Sequence, residues 1–432
     1  MQMLELPLDQ AAPRRAIYLA GIAALFAATQ LTTFNSYIVI FLRDDLFTAV
    51  FIITIIVFVR NALQIFFRVP LGDFTQIIGR KPLMLIGHFC LVAALLLLFL
   101  STDWVLPLLA TVLIALGMSA FWPSIFSFLS DFTPKTVGES NGKIFALWDV
   151  GIICASLVSK NLLDGLNIDL QLLFLIIGTF GFLSGFFTIL ILPESLVEQN
   201  KKRVESIPKA LFNSVVSMFS SLLNMSRLKG MLEVYSFQFV LAFLGFMVLT
   251  FFPVLIVERG FTQGTVSEIL FWATLVLLWF KPHLGKITDR FPFGPIMTVL
   301  LVFTSSLLLA LTLVTELWLF IIIYIFLFGS VITGFTAVNG ETARRSPDIY
   351  RGTAMGALGV WLSTGRAAST LVLGPVWDFF SLEAVFYITA FCVILVTPLL
   401  YLAFKLKNRK KEKDQEFKAQ DYAVHQIQAK KR

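Results

Sequence analysis

The 432-residue chain is 57% apolar and only 14% charged, with a mean hydropathy of +0.84. That balance excludes a soluble globular domain and leaves lipid as the solvent for most of the chain. The net charge of +7 is mostly local, because from Lys405 onward ten Lys/Arg face four Asp/Glu. Without interleaved aromatic residues, that run fits a solvated end near anionic lipid rather than a nucleic-acid partner.

A spanning helix needs roughly 20 mainly apolar residues. Hydropathy, Gly/Pro breaks and charge clusters predict about twelve such spans: 16–43, 47–71, 82–102, 104–130, 141–163, 169–192, 229–257, 264–284, 295–314, 317–341, 351–377 and 381–405. Arg14 and Arg15 precede an apolar run longer than a signal-peptide core, with no small-residue cleavage site after it, so the first span is expected to stay as an anchor. The expected layout is a short N-terminus (1–15), a six-helix bundle (16–193), a linker (194–228), a second six-helix bundle (229–405) and a basic tail (406–432). In the linker Ile207, Leu211, Val215, Met218, Leu222 and Met225 recur every three or four residues, opposite Ser206, Lys209, Asn213, Ser217 and Ser221. This predicts an amphipathic helix on the membrane surface, the alternative being a flexible linker.

Basic residues set the orientation. Arg80, Lys81, Lys135, Lys201 to Arg203, Lys286, Arg290, Arg344, Arg345 and the tail fall on one side, and Arg43, Lys160 and Arg259 on the other. The positive-inside rule then places both termini in the cytoplasm of a cell with this chain in its plasma membrane. A shift of 213 residues superposes Gly72 on Gly285, Pro82 on Pro295, Asp103 on Glu316, Pro134 on Pro347 and Trp148 on Trp361 without a gap. The chain therefore reads as two copies of one six-helix unit, and parallel repeats of that kind build alternating-access carriers with a site between the halves.

Two loops carry a pattern. After the second span come Gly72, Asp73, Gln76, Gly79, Arg80 and Lys81; after the eighth come Gly285, Lys286, Asp289 and Arg290. Glycine suits a tight turn where helices approach, and charges there can bond helix ends in one conformation only. The two loops resemble the signature of the major facilitator superfamily: a Gly, an acid four positions on, and a Gly-Arg-Lys end. Gln76 stands where the first copy would have the acid, and Pro292-Phe293-Gly294 replaces the basic end in the second. Gly117, Pro123, Asp131 and Pro134 follow the superfamily's fourth span, and the stretch from Arg351-Gly352 to Gly374-Pro375 its eleventh, so the resemblance covers nearly the whole chain. It implies an all-α polytopic membrane protein of the major facilitator fold, a secondary transporter working by a rocker-switch motion. It also implies a cytoplasmic latch between Arg80 and Asp131, made when the carrier is open outward and broken when it is open inward. Leu113 replaces an arginine often found in the fourth span, and the fifth span lacks the Gly-Pro signature of many drug antiporters.

The chain has no Walker A run, so ATP is not the expected energy source. His88, His283 and His425 lie far apart without a carboxylate or cysteine at ligand spacing, and no nucleophile and base come together, so neither a metal, a cofactor nor an enzyme is expected. Cys90, Cys154 and Cys392 read as small core residues. An ionisable group in mid-membrane is a functional candidate by default, and Arg60, Asp149 and Arg366 qualify. Gln64 lies one turn after Arg60 on the same face, and Trp148 stands beside Asp149. Two arginines on one cavity favour an anionic or zwitterionic solute, with Asp149 as the candidate proton-coupling site; the bland alternative is a structural Arg60 and Asp149 pair. The spans that line the superfamily's cavity add Asn35, Trp122, Tyr235 and Gln238, and Trp361 matches Trp148. Lys160 is expected to snorkel to the interface. The expected partners are a small-molecule substrate, membrane lipids and protons, for a monomer. The rival readings are a lipid or glycolipid flippase or a drug efflux carrier of the same fold, and a non-transporting receptor or scaffold.

Overall fold

The computed structural model describes residues 11–132, 137–195, 207–228, 230–346 and 351–430, in which every regular element is helical. Pro134, Lys135, the cluster from Lys201 to Arg203 and Pro347 lie outside the described residues. The helices are α1 (Ala11–Ile40), α2 (Val50–Phe74), α3 (Arg80–Phe99), α4 (Val105–Phe132), α5 (Val137–Lys160), α6 (Leu170–Ile191), α7 (Ile207–Arg227), α8 (Met231–Glu258), α9 (Gln263–Arg290), α10 (Phe293–Leu313), α11 (Leu317–Arg345), α12 (Arg351–Phe379) and α13 (Leu382–Lys430). Helices are the answer to a solvent that cannot pair with backbone groups, since each one satisfies its own N–H and C=O. Among the described residues eleven helices are long and apolar enough to cross a membrane. A twelfth, α12, has the length at 29 residues but carries Ser363, Arg366, Ser369 and Thr370 in its middle.

The repeat is visible in the helix starts. α2 and α9 begin at residues 50 and 263, and α3 and α10 at 80 and 293, each 213 apart. In the first repeat α3 packs on α4, α1 on α5, α2 on α4 and α3 on α6; the matching pairs in the second are α10 on α11, α8 on α12, α9 on α11 and α10 on α13. Between the repeats the main seams are α2 against α12 and α5 against α9, two equivalent contacts in which the second helix of one repeat meets the fifth of the other. Small residues set the closest approaches. A Cβ on Gly151 of α5 would collide with the Leu25 carbonyl of α1, and one on Gly365 of α12 would lie 2.5 Å from the Phe239 carbonyl oxygen of α8. α7 packs against α2, α8 and α12 with Met225 buried, and Ser214 donates to an Asp73 carboxylate oxygen at 2.6 Å.

The repeats meet on the face away from the basic loops. There α1 and α5 each end in a π-turn, Phe41–Asp45 and Asn161–Gly165, and each turn is followed by a left-handed residue, Phe47 (φ 48°) and Asn167 (φ 53°). Arg43 bonds Glu258 at 2.6 Å, Tyr37 shares a 2.5 Å hydrogen bond with Ser267, and Thr262 donates to Asp164 at 3.0 Å. Lys160 does not snorkel to lipid: it pairs with Glu268 of α9, because the end of α5 faces the other repeat.

Two further expectations are revised. The second loop pattern, Gly285 to Arg290, is not a turn: α9 continues through it to Arg290, three residues past the point that matches the end of α2 at Phe74, and Pro292, at the position of Gly79, opens α10. Cys154 and Cys392 are exposed on the helix surface rather than packed in the core, with only Cys90 part-buried.

Candidate functional site

Arg60 sits ten residues into α2, about 15 Å along a helix that rises about 1.5 Å per residue, which is the middle of a hydrocarbon core about 30 Å thick. It is 4% exposed. Its Nη1 donates to Asn35 Oδ1 of α1 at 2.5 Å, and its guanidinium lies 5.3 Å from the Phe34 ring and 5.9 Å from the Phe246 ring of α8. Its Nε has no acceptor. Arg366 of α12 approaches the same Phe246 ring at 5.7 Å, so the two guanidinium groups are within about 12 Å of each other and belong to opposite repeats. Neither arginine pairs with a carboxylate among the described residues. A small pocket beside Arg60 is lined by Asn35, Val57, Phe246 and Thr250 among others.

Asp149 does not neutralise Arg60. Its carboxylate, 5% exposed, pairs with Lys281 of α9, because the seam of α5 with α9 brings that lysine across from the other repeat. Lys281 and Arg68 are two cations at the seams that inspection of single spans passes over. The signal that exposes them is the 213-residue shift, which superposes Arg68 on Lys281. Arg68 donates to the Gly359 carbonyl of α12 at 3.1 Å. Phe246, which stands between Arg60 and Arg366, is one phenylalanine among 45 and carries no distinguishing mark in the sequence.

The other candidates divide by repeat. Gln64 is buried beside Arg60 and Arg68, its Oε1 without a donor. Trp122 and Trp148 pack together in the first repeat at 4.8 Å between ring centroids. In the second, Trp361 stacks on Tyr235 at 6.3 Å, and its indole Nε1 is buried without an acceptor. Tyr235 is fully buried and donates to the Ala354 carbonyl at 3.1 Å, a bond that ties α8 to α12. Gln238, one turn further on, keeps a buried Oε1 without a donor.

On the basic face Gly79 has φ of +119°, a conformation that favours glycine, and opens α3. Arg80 then bonds the Thr75 carbonyl at 2.6 Å and Asp131 of α4 at 3.2 Å. The backbone N–H groups of Arg80 and Lys81 donate to the Glu194 carboxylate at 3.1 and 3.0 Å, and Lys81 Nζ reaches the Leu190 carbonyl at 2.8 Å. Ser195 adds a 2.7 Å bond to Asp131. Arg80 and Asp131 thus meet inside the first repeat, in a structure whose other face is closed. Gly72 sits against Pro123, and Gln76 continues the turn through its backbone N–H to the Asp73 carbonyl at 3.0 Å. In the second repeat Arg290 is exposed, while the side chains at Gly285 and Asp289 lie outside the described residues.

Solved structures share this fold. A POT family transporter in complex with a thioalcohol-conjugated peptide is 14% identical with a TM-score of 0.72, covering 91% of this chain and 96% of its own. A POT family transporter in complex with 5-aminolevulinic acid is 13% identical with a TM-score of 0.73, over 91% and 96%. The human organic anion transporter MFSD10 (TETRAN) is 16% identical with a TM-score of 0.64, over 90% and 99%. No curated protein matches the chain by sequence. The family model of the Major Facilitator Superfamily matches residues 20–370, from the middle of α1 into α12 and across both seams. Two repeats of six helices closing on a shared polar centre, matched by that model over most of their length, make this chain an integral membrane protein of the Major Facilitator Superfamily, a family of transporters.

Proposed function

We propose that the chain moves a small organic anion, or a zwitterion through its acidic group, by rocking the two repeats about the seams of α2 with α12 and α5 with α9. The observation that carries this reading is the pair of guanidinium groups, Arg60 and Arg366, flanking Phe246 from opposite repeats with no carboxylate among the described residues paired to either. An uncompensated cation in the hydrocarbon region is costly, and an anionic ligand that engages both arginines offsets that cost while holding the repeats together. Arginine presents a planar fork of donors suited to carboxylate and phosphate oxygens. Asp149, facing Lys281 across the second seam, is the coupling candidate: protonating it would release Lys281 and loosen that seam. The termini then lie on the cytoplasmic side of the plasma membrane, with Arg80 and Asp131 bracing the first repeat on that face.

The test is uptake by the purified monomer in liposomes. Radiolabelled carboxylates, phosphate esters, dipeptides, sugars and organic cations are offered with and without an inward proton gradient. Accumulation of an anionic solute that disappears in Arg366→Gln supports the reading. Transport confined to neutral or cationic solutes, or binding without flux, overturns it.

A further inference from the structure

The repeats are matched in where they place a cation and unmatched in what they place opposite it. Arg68 and Lys281 occupy equivalent positions 213 residues apart, each towards the basic face on the second helix of its repeat, and each reaches across a seam to the fifth helix of the other. Lys281 finds Asp149 there. The position equivalent to Asp149 in the second repeat is Leu362, and among the described residues Arg68 meets only the Gly359 carbonyl, which occupies one of its five N–H donors. One seam is neutralised from within and the other is not.

The surroundings of Arg68 are prepared for a ligand. Arg60, Gln64 and Arg68 stand four residues apart along α2, and Gly359, Ser363 and Arg366 stand four and then three residues apart along the facing α12, so each set shares one helix face. Ser363, 0% exposed, has an Oγ without a hydrogen-bond partner and can donate its O–H to an oxyanion, and Gln64 on α2 is 2% exposed. Gly359 leaves room for the guanidinium: a Cβ there would stand 3.1 Å from both Cδ and Nη1 of Arg68.

Resting on the anion-carrier reading, we infer that Arg68 is a docking residue for the solute, whose oxyanion supplies the acid that the second repeat lacks at position 362. A carboxylate or phosphate seated between Arg68 and Arg366 completes the first seam as Asp149 completes the second. A bound solute thereby pulls α2 onto α12, and its release leaves that seam with two unneutralised cations.

Leu362→Asp tests this by installing the missing acid, with Leu362→Asn as its uncharged control and Arg68→Gln as the independent variant. The readout is the thermal shift produced by benzoate and by phenyl phosphate at constant ionic strength. The expected result is stabilisation of the unmodified chain and of Leu362→Asn by at least one probe. In Leu362→Asp and Arg68→Gln the apparent Kd for that probe rises about tenfold or more. Which probe acts distinguishes a carboxylate from a phosphate solute. Full retention of the shift in Leu362→Asp and Arg68→Gln overturns the role of Arg68 and leaves the anion-carrier reading standing. Absence of any shift in the unmodified chain, together with no anion uptake, overturns both.

Discussion

Among the described residues, Arg60 is held in the middle of α2 by neutral groups alone. A cation there costs about 2.5 to 3.5 kcal/mol on insertion scales. Against that stand one charge-assisted hydrogen bond to Asn35, about 1.5 to 3 kcal/mol, and two ring contacts of about 0.5 to 2 kcal/mol each. The terms nearly cancel, so Arg60 can be kept without a carboxylate and stays free to take one from a ligand. Asn35→Ala is therefore expected to lower stability by about 1.5 to 3 kcal/mol, read as a fall in the melting midpoint in detergent. Arg60→Lys, which keeps the charge but loses the planar fork, should weaken anion uptake more than it weakens folding. Asp149 and Lys281 obey different arithmetic. With Asp149 5% exposed, Lys281→Ala strands a buried carboxylate and should cost about 3 to 5 kcal/mol, whereas the double variant Asp149→Asn with Lys281→Ala should recover part of that loss. Equal midpoints for the single and double variants would show that the pair is not coupled.

At the scale of the element, the seams depend on residues that bring backbones close. Gly365 packs against the Phe239 carbonyl and Ala242, so a β-branched side chain there must part α8 from α12. Gly365→Val is expected to destabilise by about 1 to 3 kcal/mol and to open the stack of Trp361 on Tyr235, visible in tryptophan fluorescence. The turn between α2 and α3 follows a similar logic: Gly79 supplies the left-handed residue and Arg80 locks the turn to Thr75 and Asp131. Arg80→Ala should insert normally and transport slowly; unchanged transport at normal expression would remove any gating role for that arginine. The second repeat dispenses with this device, α9 passing straight through Gly285 to Arg290.

At the scale of the molecule, closure on the face opposite the basic loops rests on contacts that are individually weak. The ion pairs of Arg43 with Glu258 and Lys160 with Glu268 are partly exposed, and such pairs contribute about 0 to 1 kcal/mol each. On the proposed rocking of the repeats, this face reopens with every cycle and needs a latch of that size. Removing both acids, Glu258→Gln with Glu268→Gln, should shift the population towards an open face by about tenfold if they supply 1.4 kcal/mol together. Spin-label distances between the ends of α5 and α9 measure that shift, and an unchanged distribution would assign the closure to apolar packing instead.

The sequence by itself determined the solvent, the number of helices and their repetition, because hydropathy and a constant 213-residue spacing are local or translational signals that need no contact to be read. It also marked Arg60, Asp149 and Arg366, since a charge within an apolar run stands out wherever the run lies. Partners were decided only by the tertiary structure. Asp149 lies nearest in charge logic to Arg60, yet the seam of α5 with α9 delivers Lys281 to it, 132 residues away, and the end of α5 carries Lys160 to Glu268 rather than to lipid. Phe246 acquired its place between two arginines by the packing of α8 against α1 and α12, where a ring indistinguishable in sequence from the other phenylalanines becomes the one that both guanidinium groups face. Pairing across a seam depends on which faces two repeats present to each other, and that choice is made by the packing of all twelve spans together.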